Sequence, residues 1–283
     1  MLNIEPKHQI KQIKSYICLY NEIYALIKRL YIQIQRRPSM IISGIIQPLL
    51  WLLLFGALFQ NAPVGLFTKN MQYSSFLIPG IIVFTSFTGS INGGLPLMFD
   101  REFGFLNRLL ISPLVSRDAL LISSIFFIST ITLIQTFIII LCSCLLFDHS
   151  YGTSELLHIA IVICLICLST GSISICLAFI LPGHIEFLAF ILIVNLPMLF
   201  SSTALAPLSF MPYWLQTVAS INPLTYAIES IRHIIEPLNI SGYATSIETA
   251  WINIGFDESL YILVTFNLLS FIITKNIISY KFE

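Results

Sequence analysis

Charge is what this sequence has least of. Of its 283 residues, 10% are Asp, Glu, Lys or Arg and 57% are apolar, whereas soluble domains carry roughly 25% charged residues. So few charges do not cover the surface of a soluble protein of this length, and a soluble one- or two-domain enzyme is excluded. Catalytic patterns are missing too: there is no HExxH, no GxSxG and no GxxxxGKS/T phosphate loop. The histidines (His8, His149, His158, His184 and His233) are scattered over different loops and span ends, so no triad or metal cluster can be drawn. The expectation is a chain that binds no cofactor or metal itself and is not an enzyme.

Cysteine offers little more. Cys18, Cys142, Cys144, Cys164, Cys167 and Cys176 include one CxxC pair, Cys164 and Cys167, inside the apolar run IAIVICLICLSTGS. With no second pair and no His at ligand spacing, they read as buried apolar cysteines rather than a redox or metal pair. The opening MLNIEPKHQIKQIKSY lacks the apolar core and small-residue cleavage site of a signal peptide, so the first true span is expected to serve as the targeting signal.

What the sequence has is long apolar runs. About 20 apolar residues in a helix cross a hydrocarbon core of ~30 Å. The first run, Met40 to Phe59, holds twelve Ile, Leu and Phe residues, giving about −5 kcal/mol of insertion free energy before Gln47 and Pro48 are charged against it. Further spans are expected at Tyr73–Phe99, Ala119–Phe147, Leu156–Leu181, Phe187–Leu205 and Ser259–Thr274. In the second, Pro79, Gly80, Gly89, Gly93 and Gly94 permit close helix packing or a broken helix. The expected fold is all-α: a polytopic membrane protein of six transmembrane helices.

Lys and Arg placement gives the orientation. Lys7, Lys11, Lys14, Lys28, Arg29, Arg36 and Arg37 precede the first span. Arg101, Arg108 and Arg117 follow the second, and Lys275 and Lys281 follow the last. Only Lys69 and Arg232 fall on the other side, so an even number of spans puts twelve of the 14 basic residues together, with both termini cytoplasmic.

Outside the spans, Tyr16, Tyr20, Ile23, Ile27, Leu30 and Ile34 recur at helical spacing, while Asn21, Glu22, Lys28, Arg29, Gln33 and Arg36 take the other face. That pattern suits an amphipathic helix in the membrane interface, or one packed on a partner subunit. The chain thus divides into a cytoplasmic segment, residues 1–38, and a six-span domain, residues 39–283. Between spans five and six, residues 206–257 begin apolar, are interrupted by Pro207, Pro212, Pro223 and Pro237, and turn polar after Glu236. Short helices dipping into the outer interface, or a re-entrant hairpin, are expected there, followed by a true external loop.

No span holds Asp, Glu, Lys or Arg away from its ends, as an ion-driven carrier usually would. Gln47, Asn92, Gln135, Thr170, Asn195 and Asn267 lie inside and read as interhelical glue before substrate ligands. A passive channel or secondary carrier would need a polar stripe or an ionisable site, and a membrane-embedded enzyme convergent catalytic groups. A transporter of this composition is passive or is powered by a separate subunit.

The docking candidate is the loop of residues 100–118, DREFGFLNRLLISPLVSRD, which offers Phe103, Leu106, Leu109, Leu110 and Ile111 beside Arg101, Glu102 and Arg108. A short amphipathic helix there suits a groove on a soluble ATPase. The loop resembles the RExGTLExLLxSP element of type-2 ATP-binding-cassette (ABC) exporter permeases. Arg101, Glu102, Gly104, Leu106, Leu109, Leu110, Ser112 and Pro113 match it, while Phe105 stands for the usual Thr and Asn107 for the usual Glu.

STALAPLSFMPYWLQ and NPLTYAIESIR resemble the same family's signature after span five, bringing Pro207, Pro212, Trp214, Asn222, Pro223, Thr225, Tyr226, Glu229 and Arg232 into the site; Ala206 replaces its common Phe. The resemblance implies a homodimer or pair of permeases above two ABC ATPase subunits. Those subunits, not this chain, would bind ATP and Mg. Residues 100–113 would be the coupling helix, and the cargo amphiphilic or lipid-linked. The richness in Ile, Lys, Asn and Tyr resembles plastid-encoded members of algae, so the membrane is expected to be a plastid or bacterial inner membrane. Reporters fused after Arg37 and after Glu283 should both read cytoplasmic; a split result would mean an odd number of spans.

Overall fold

The computed structural model describes residues 15–59, 73–111, 118–147, 151–235, 246–248 and 253–282. These form a helical bundle. Among the described residues, five helical stretches are long and apolar enough to cross a membrane: Ser39–Leu58, Ser75–Glu102, Ala119–Phe147, Thr153–Ile180 and Asp257–Ile278. Their helices are α2 (Ser39–Leu58), α3 (Tyr73–Asn92) continued by α4 (Leu95–Glu102), α6 (Asp118–Phe147), α7 (Thr153–Ile180) and α11 (Phe256–Phe282). The expected fifth span is shorter than the sequence suggested. It is α8 (His184–Phe200), 17 residues that are apolar apart from His184, Glu186 and Asn195, about 25 Å at 1.5 Å per residue, at the low end of what spans. Residues 201–206 continue as turns rather than helix.

The centre of the bundle is α3, packed against α2, α6 and α7. From Phe76 to Thr88 it is buried without interruption. Small hydroxyl residues let its neighbours approach. Thr85, Thr88 and Ser90 return their hydroxyls to the carbonyls of Ile81, Phe84 and Ser86, at 2.7, 2.9 and 2.6 Å, so no buried donor is left facing hydrocarbon. Cys167 sits fully buried between Ser86 and Thr132, 3.2 and 2.8 Å from their hydroxyls. The CxxC is therefore packing, and the cysteines are free thiols.

The glycines of this span do two jobs. At Gly93–Gly94 the helix breaks into α3 and α4, and the Gly94 N–H donates to Ser174 Oγ of α7 at 3.0 Å. At Gly80 the backbone of Ala204 comes so close that a Cβ would lie 2.6 Å from its carbonyl oxygen, a contact no larger residue accommodates without displacement.

The N-terminal amphipathic helix exists as α1 (Ser15–Gln35), with one correction to its face. Leu26, Leu30 and Ile34 are the buried residues, and Tyr20 is 69% exposed. The buried stripe lies against α6 of the same chain, where the Tyr31 hydroxyl bonds Thr130 and its ring meets Phe127 edge-on at 5.5 Å.

After α8 come one 3-10 turn (Leu208–Phe210), α9 (Tyr213–Ile221) and α10 (Pro223–Ile235). The expected short helices are present, in two different settings. Tyr213, Trp214, Val218 and Ile221 of α9 are exposed. By contrast, α10 is buried over Leu224–Ile228 and packs on α3, α7 and α11. Of the polar loop expected after Glu236, the described part is a two-stranded antiparallel ribbon, β1 (Ser246–Glu248) with β2 (Asn253–Gly255). It is a small exception to an otherwise helical chain.

Candidate functional site

The element expected to meet an ATPase is a helix–turn–helix on the basic side of the bundle. Its first arm is α4 and its second is α5 (Phe105–Ile111). Gly104 joins them at φ +73°. An L side chain is strained there by roughly 1–2 kcal/mol, although nothing crowds the position within 4 Å. The glycine is needed for its backbone, not for room.

Three consecutive charges end α4, and each is committed to a different helix of this chain. Asp100 pairs with Arg29 of α1, whose guanidinium also lies 4.3 Å above the Phe105 ring. Arg101 reaches the end of α7: it donates to the carbonyls of Phe179 and Pro182, both at 2.8 Å, and to that of Leu181. α7 stops because Pro182 follows Leu181, which is extended at φ −69° and ψ 144°. The stop leaves carbonyls without intrahelical donors, and a guanidinium with five N–H groups suits them in both charge and number.

Glu102 lies at the beginning of α8, with Oε2 2.6 Å from His184 Nδ1, while the Phe99 ring meets His184 at a tilt, 5.4 Å between centroids. The Arg–Glu pair thus straddles the α7–α8 turn, cation at a helix C-terminus and anion at a helix N-terminus, as the helix dipoles favour.

This changes what the docking surface is made of. Leu106, expected as an apolar knob for a partner, is 3% exposed and belongs to this chain's own core. Leu109 is half-buried and packs on the same core. Arg101 is held by its own carbonyls. What faces outward is Phe103, 74% exposed and stacked on Phe99, together with Arg108 and part of Glu102. Ser112 and Pro113 lie outside the described residues.

At the opposite end, the second sequence element forms a clasp where α8 gives way to turns. Asn222 caps α10: its Oδ1 accepts from the Leu224 N–H at 3.0 Å, with Pro223 at the first helical position. Its Nδ2 donates to the carbonyls of Met198 and Ser201, at 3.1 and 3.2 Å. Arg232 pairs with Glu229 and donates to the carbonyls of Thr203 and Phe76, at 3.1 and 3.4 Å; its guanidinium lies 3.8 Å above the Phe76 ring. Irregular backbone at membrane depth is tolerated where protein groups satisfy it, and these two side chains do so.

Tyr226 donates to the Ser220 carbonyl at 2.6 Å, and burial raises its phenol above the ordinary value, so it remains a donor. Thr225 is fully buried on the same helix. Pro212 caps α9, Pro207 precedes the 3-10 turn, and Trp214 points outward, 67% exposed. The structure places Asn222, Thr225, Tyr226, Glu229 and Arg232 together on and beside α10, as sequence reasoning had grouped them. Sequence reasoning missed Arg29, His184 and the α7 carbonyls, which lie 71 to 82 residues from their partners and carry no local signal.

Replacing Arg101 by Gln should destabilise the bundle by about 2 kcal/mol, the loss of charge-assisted bonds to carbonyls that are part-buried at Phe179 and Leu181 and exposed at Pro182. Lys at that position should cost less, since an ammonium still reaches some of them. Thermal unfolding in detergent checks this; an unchanged midpoint for the Gln variant would contradict the capping role.

Residues 21–235 match the model of the ABC-2 type transporter family. The chain is 50% identical over 275 residues to a protein of Pyropia yezoensis named as a transport permease, ycf38, covering 97% of this chain and 94% of the relative. It is 49% identical over 257 residues to a similarly named protein of Cyanophora paradoxa, covering 91% and 89%. It is 28% identical over 195 residues, 68% of each chain, to a Mycobacterium tuberculosis protein named as a doxorubicin resistance ABC transporter permease, DrrC. With its apolar helices and polar clasps, the chain belongs to the ABC-2 type transporter family, as a multi-pass membrane permease of the kind that pairs with an ABC ATPase subunit.

Proposed function

We propose that this permease is the membrane half of an ATP-driven exporter, working as a pair of permease chains above two ATPase subunits that bind ATP and Mg. The observation that carries the reading is the triple attachment of α4. Asp100 holds α1, Arg101 holds the end of α7, and Glu102 holds the start of α8. A push on the α4–α5 turn therefore reaches three other helices at once, without passing through a flexible linker. Phe103, at the tip of that turn and exposed, is the natural anchor for a partner pocket.

The cargo suited to this bundle is an amphiphile. Its spans carry no ionisable group away from their ends, which favours an apolar or weakly polar passenger over a small ion. The similarity to DrrC and to the ycf38 proteins supports transport as the activity. The richness in Ile, Lys, Asn and Tyr, which resembles plastid-encoded members of the family, supports a plastid membrane as the location.

Phe103→Asp places a charge where a partner pocket would take an aromatic ring, and being exposed it should leave the bundle intact. Association with the cognate ATPase should weaken about 30-fold, the usual consequence of losing an interface hot spot, with the thermal midpoint of the permease unchanged. ATPase co-purification from the native membrane measures this. Undiminished association would remove the turn from the interface.

A further inference from the structure

Gln135 stands at the middle of α6 and is 4% exposed. It lies where α2, α3 and α6 meet, in a slot left by two glycines. A Cβ at Gly44 would fall 2.5 Å from its Nε2, and one at Gly89 2.5 Å from its Oε1. Nε2 donates to the Ile41 carbonyl at 3.4 Å, which fixes the amide's orientation and leaves Oε1 buried with no donor. An unsatisfied acceptor inside a membrane protein is costly, and this one borders a cavity.

That cavity, about 270 Å³, has Gln135, Thr88 and Asn92 on its inner walls and Ser43 and Gln47 on its exposed rim. These five polar side chains interrupt a wall that is otherwise largely apolar. Ile34, Met40, Leu95 and Phe127 are shared with a second cavity of about 290 Å³, which adds Gln33, Ser39 and Arg37. Gln33 and Arg37 in turn border a third, about 300 Å³, with Arg36 and Arg29. Arg29 is neutralised by Asp100. Arg36 and Arg37 are exposed and have no carboxylate within ion-pair distance among the described residues. Three cavities with shared walls therefore lie in a row, from free positive charge on the basic side, past Ser39, to a donorless amide oxygen halfway along α6.

We propose that this row of cavities is a lateral binding site, contained within one copy of the chain, for an anionic amphiphile whose head bears hydroxyl groups. Arg36 and Arg37 take the anionic group. A hydroxyl of the head donates to Gln135 Oε1. The apolar tail lies along Ile42, Ile46 and Leu50, the exposed face of α2 that flanks the rim. The site names the cargo class of the transport reading and rests on that reading only in calling the bound molecule cargo; occupancy itself needs neither ATP nor the ATPase.

The test is lipid retention by the full-length purified permease, without nucleotide, read by native mass spectrometry. Three probes separate the two recognition groups: phosphatidylglycerol (anionic, with hydroxyls), phosphatidic acid (anionic, without them) and monogalactosyl diacylglycerol (hydroxyls, uncharged). Phosphatidylglycerol should be retained best. Changing both Arg36 and Arg37 to Gln should lower its retention about 30-fold towards the level of the neutral glycolipid. Gln135→Leu should remove the preference for phosphatidylglycerol over phosphatidic acid, about 5-fold, while leaving the preference for anionic over neutral lipid.

Ser43→Phe, at the exposed rim, should block the cavity and reproduce the Gln135→Leu pattern even if that variant folds poorly. Retention that follows charge alone and is indifferent to both cavity variants would mean surface electrostatics only and would overturn the site. A failed ATPase association with normal lipid retention would instead count against the exporter reading and leave this site standing.

Discussion

Where a helix stops at or inside a membrane, its last carbonyls face a medium that supplies no donors. The architecture of this permease follows from how that problem is solved twice, at opposite ends of the bundle. On the basic side, Arg101 gathers the carbonyls of Phe179, Leu181 and Pro182 where α7 ends. On the other, Asn222 and Arg232 serve Met198, Ser201 and Thr203, where α8 runs out into turns. Each donor comes from a distant part of the chain, so satisfying the carbonyls also ties separate helices together.

The two clasps differ in what they leave free. The outer one is closed on itself: Asn222, Tyr226, Glu229 and Arg232 all find partners in their own neighbourhood. It fixes α10 within the bundle and leaves α9 with an exposed aromatic face at Tyr213 and Trp214. The inner clasp spends its charges inward and keeps Phe103 and Arg108 outward. That division of labour lets one short element be attached to three other helices and still present a surface to a partner.

Much of this was legible in the sequence. Apolar run length placed the spans, because lipid imposes one length on all of them, and α2 and α6 begin and end within a residue of the expected limits. The fifth span was overestimated: Ser202, Thr203 and Ala204 are buried like span residues, but in turns closed by Arg232 and packed on Gly80, which hydropathy does not distinguish from helix. The face of α1 was right from Leu30 to Ile34 and wrong at Tyr20. Ile27 and Leu26 are equally good periodic partners of Leu30, and only the position of α6 decides between them. Arg101 and Glu102 were found as a motif, yet their role was assigned to a partner because the groups they bond within this chain lie some 80 residues away. Leu106 was misread for the same reason: an amphipathic turn has an apolar face whether it meets a neighbour or its own core.

The central claim is that Arg101 makes the α4–α5 turn a rigid extension of α7 and α8. Spin labels at Phe103 and Ile185, both exposed, would report it directly in the reconstituted full chain. The account predicts one narrow distance distribution that broadens when Arg101 is replaced by Gln. A distribution already broad in the native chain, or one unaffected by the substitution, would contradict it.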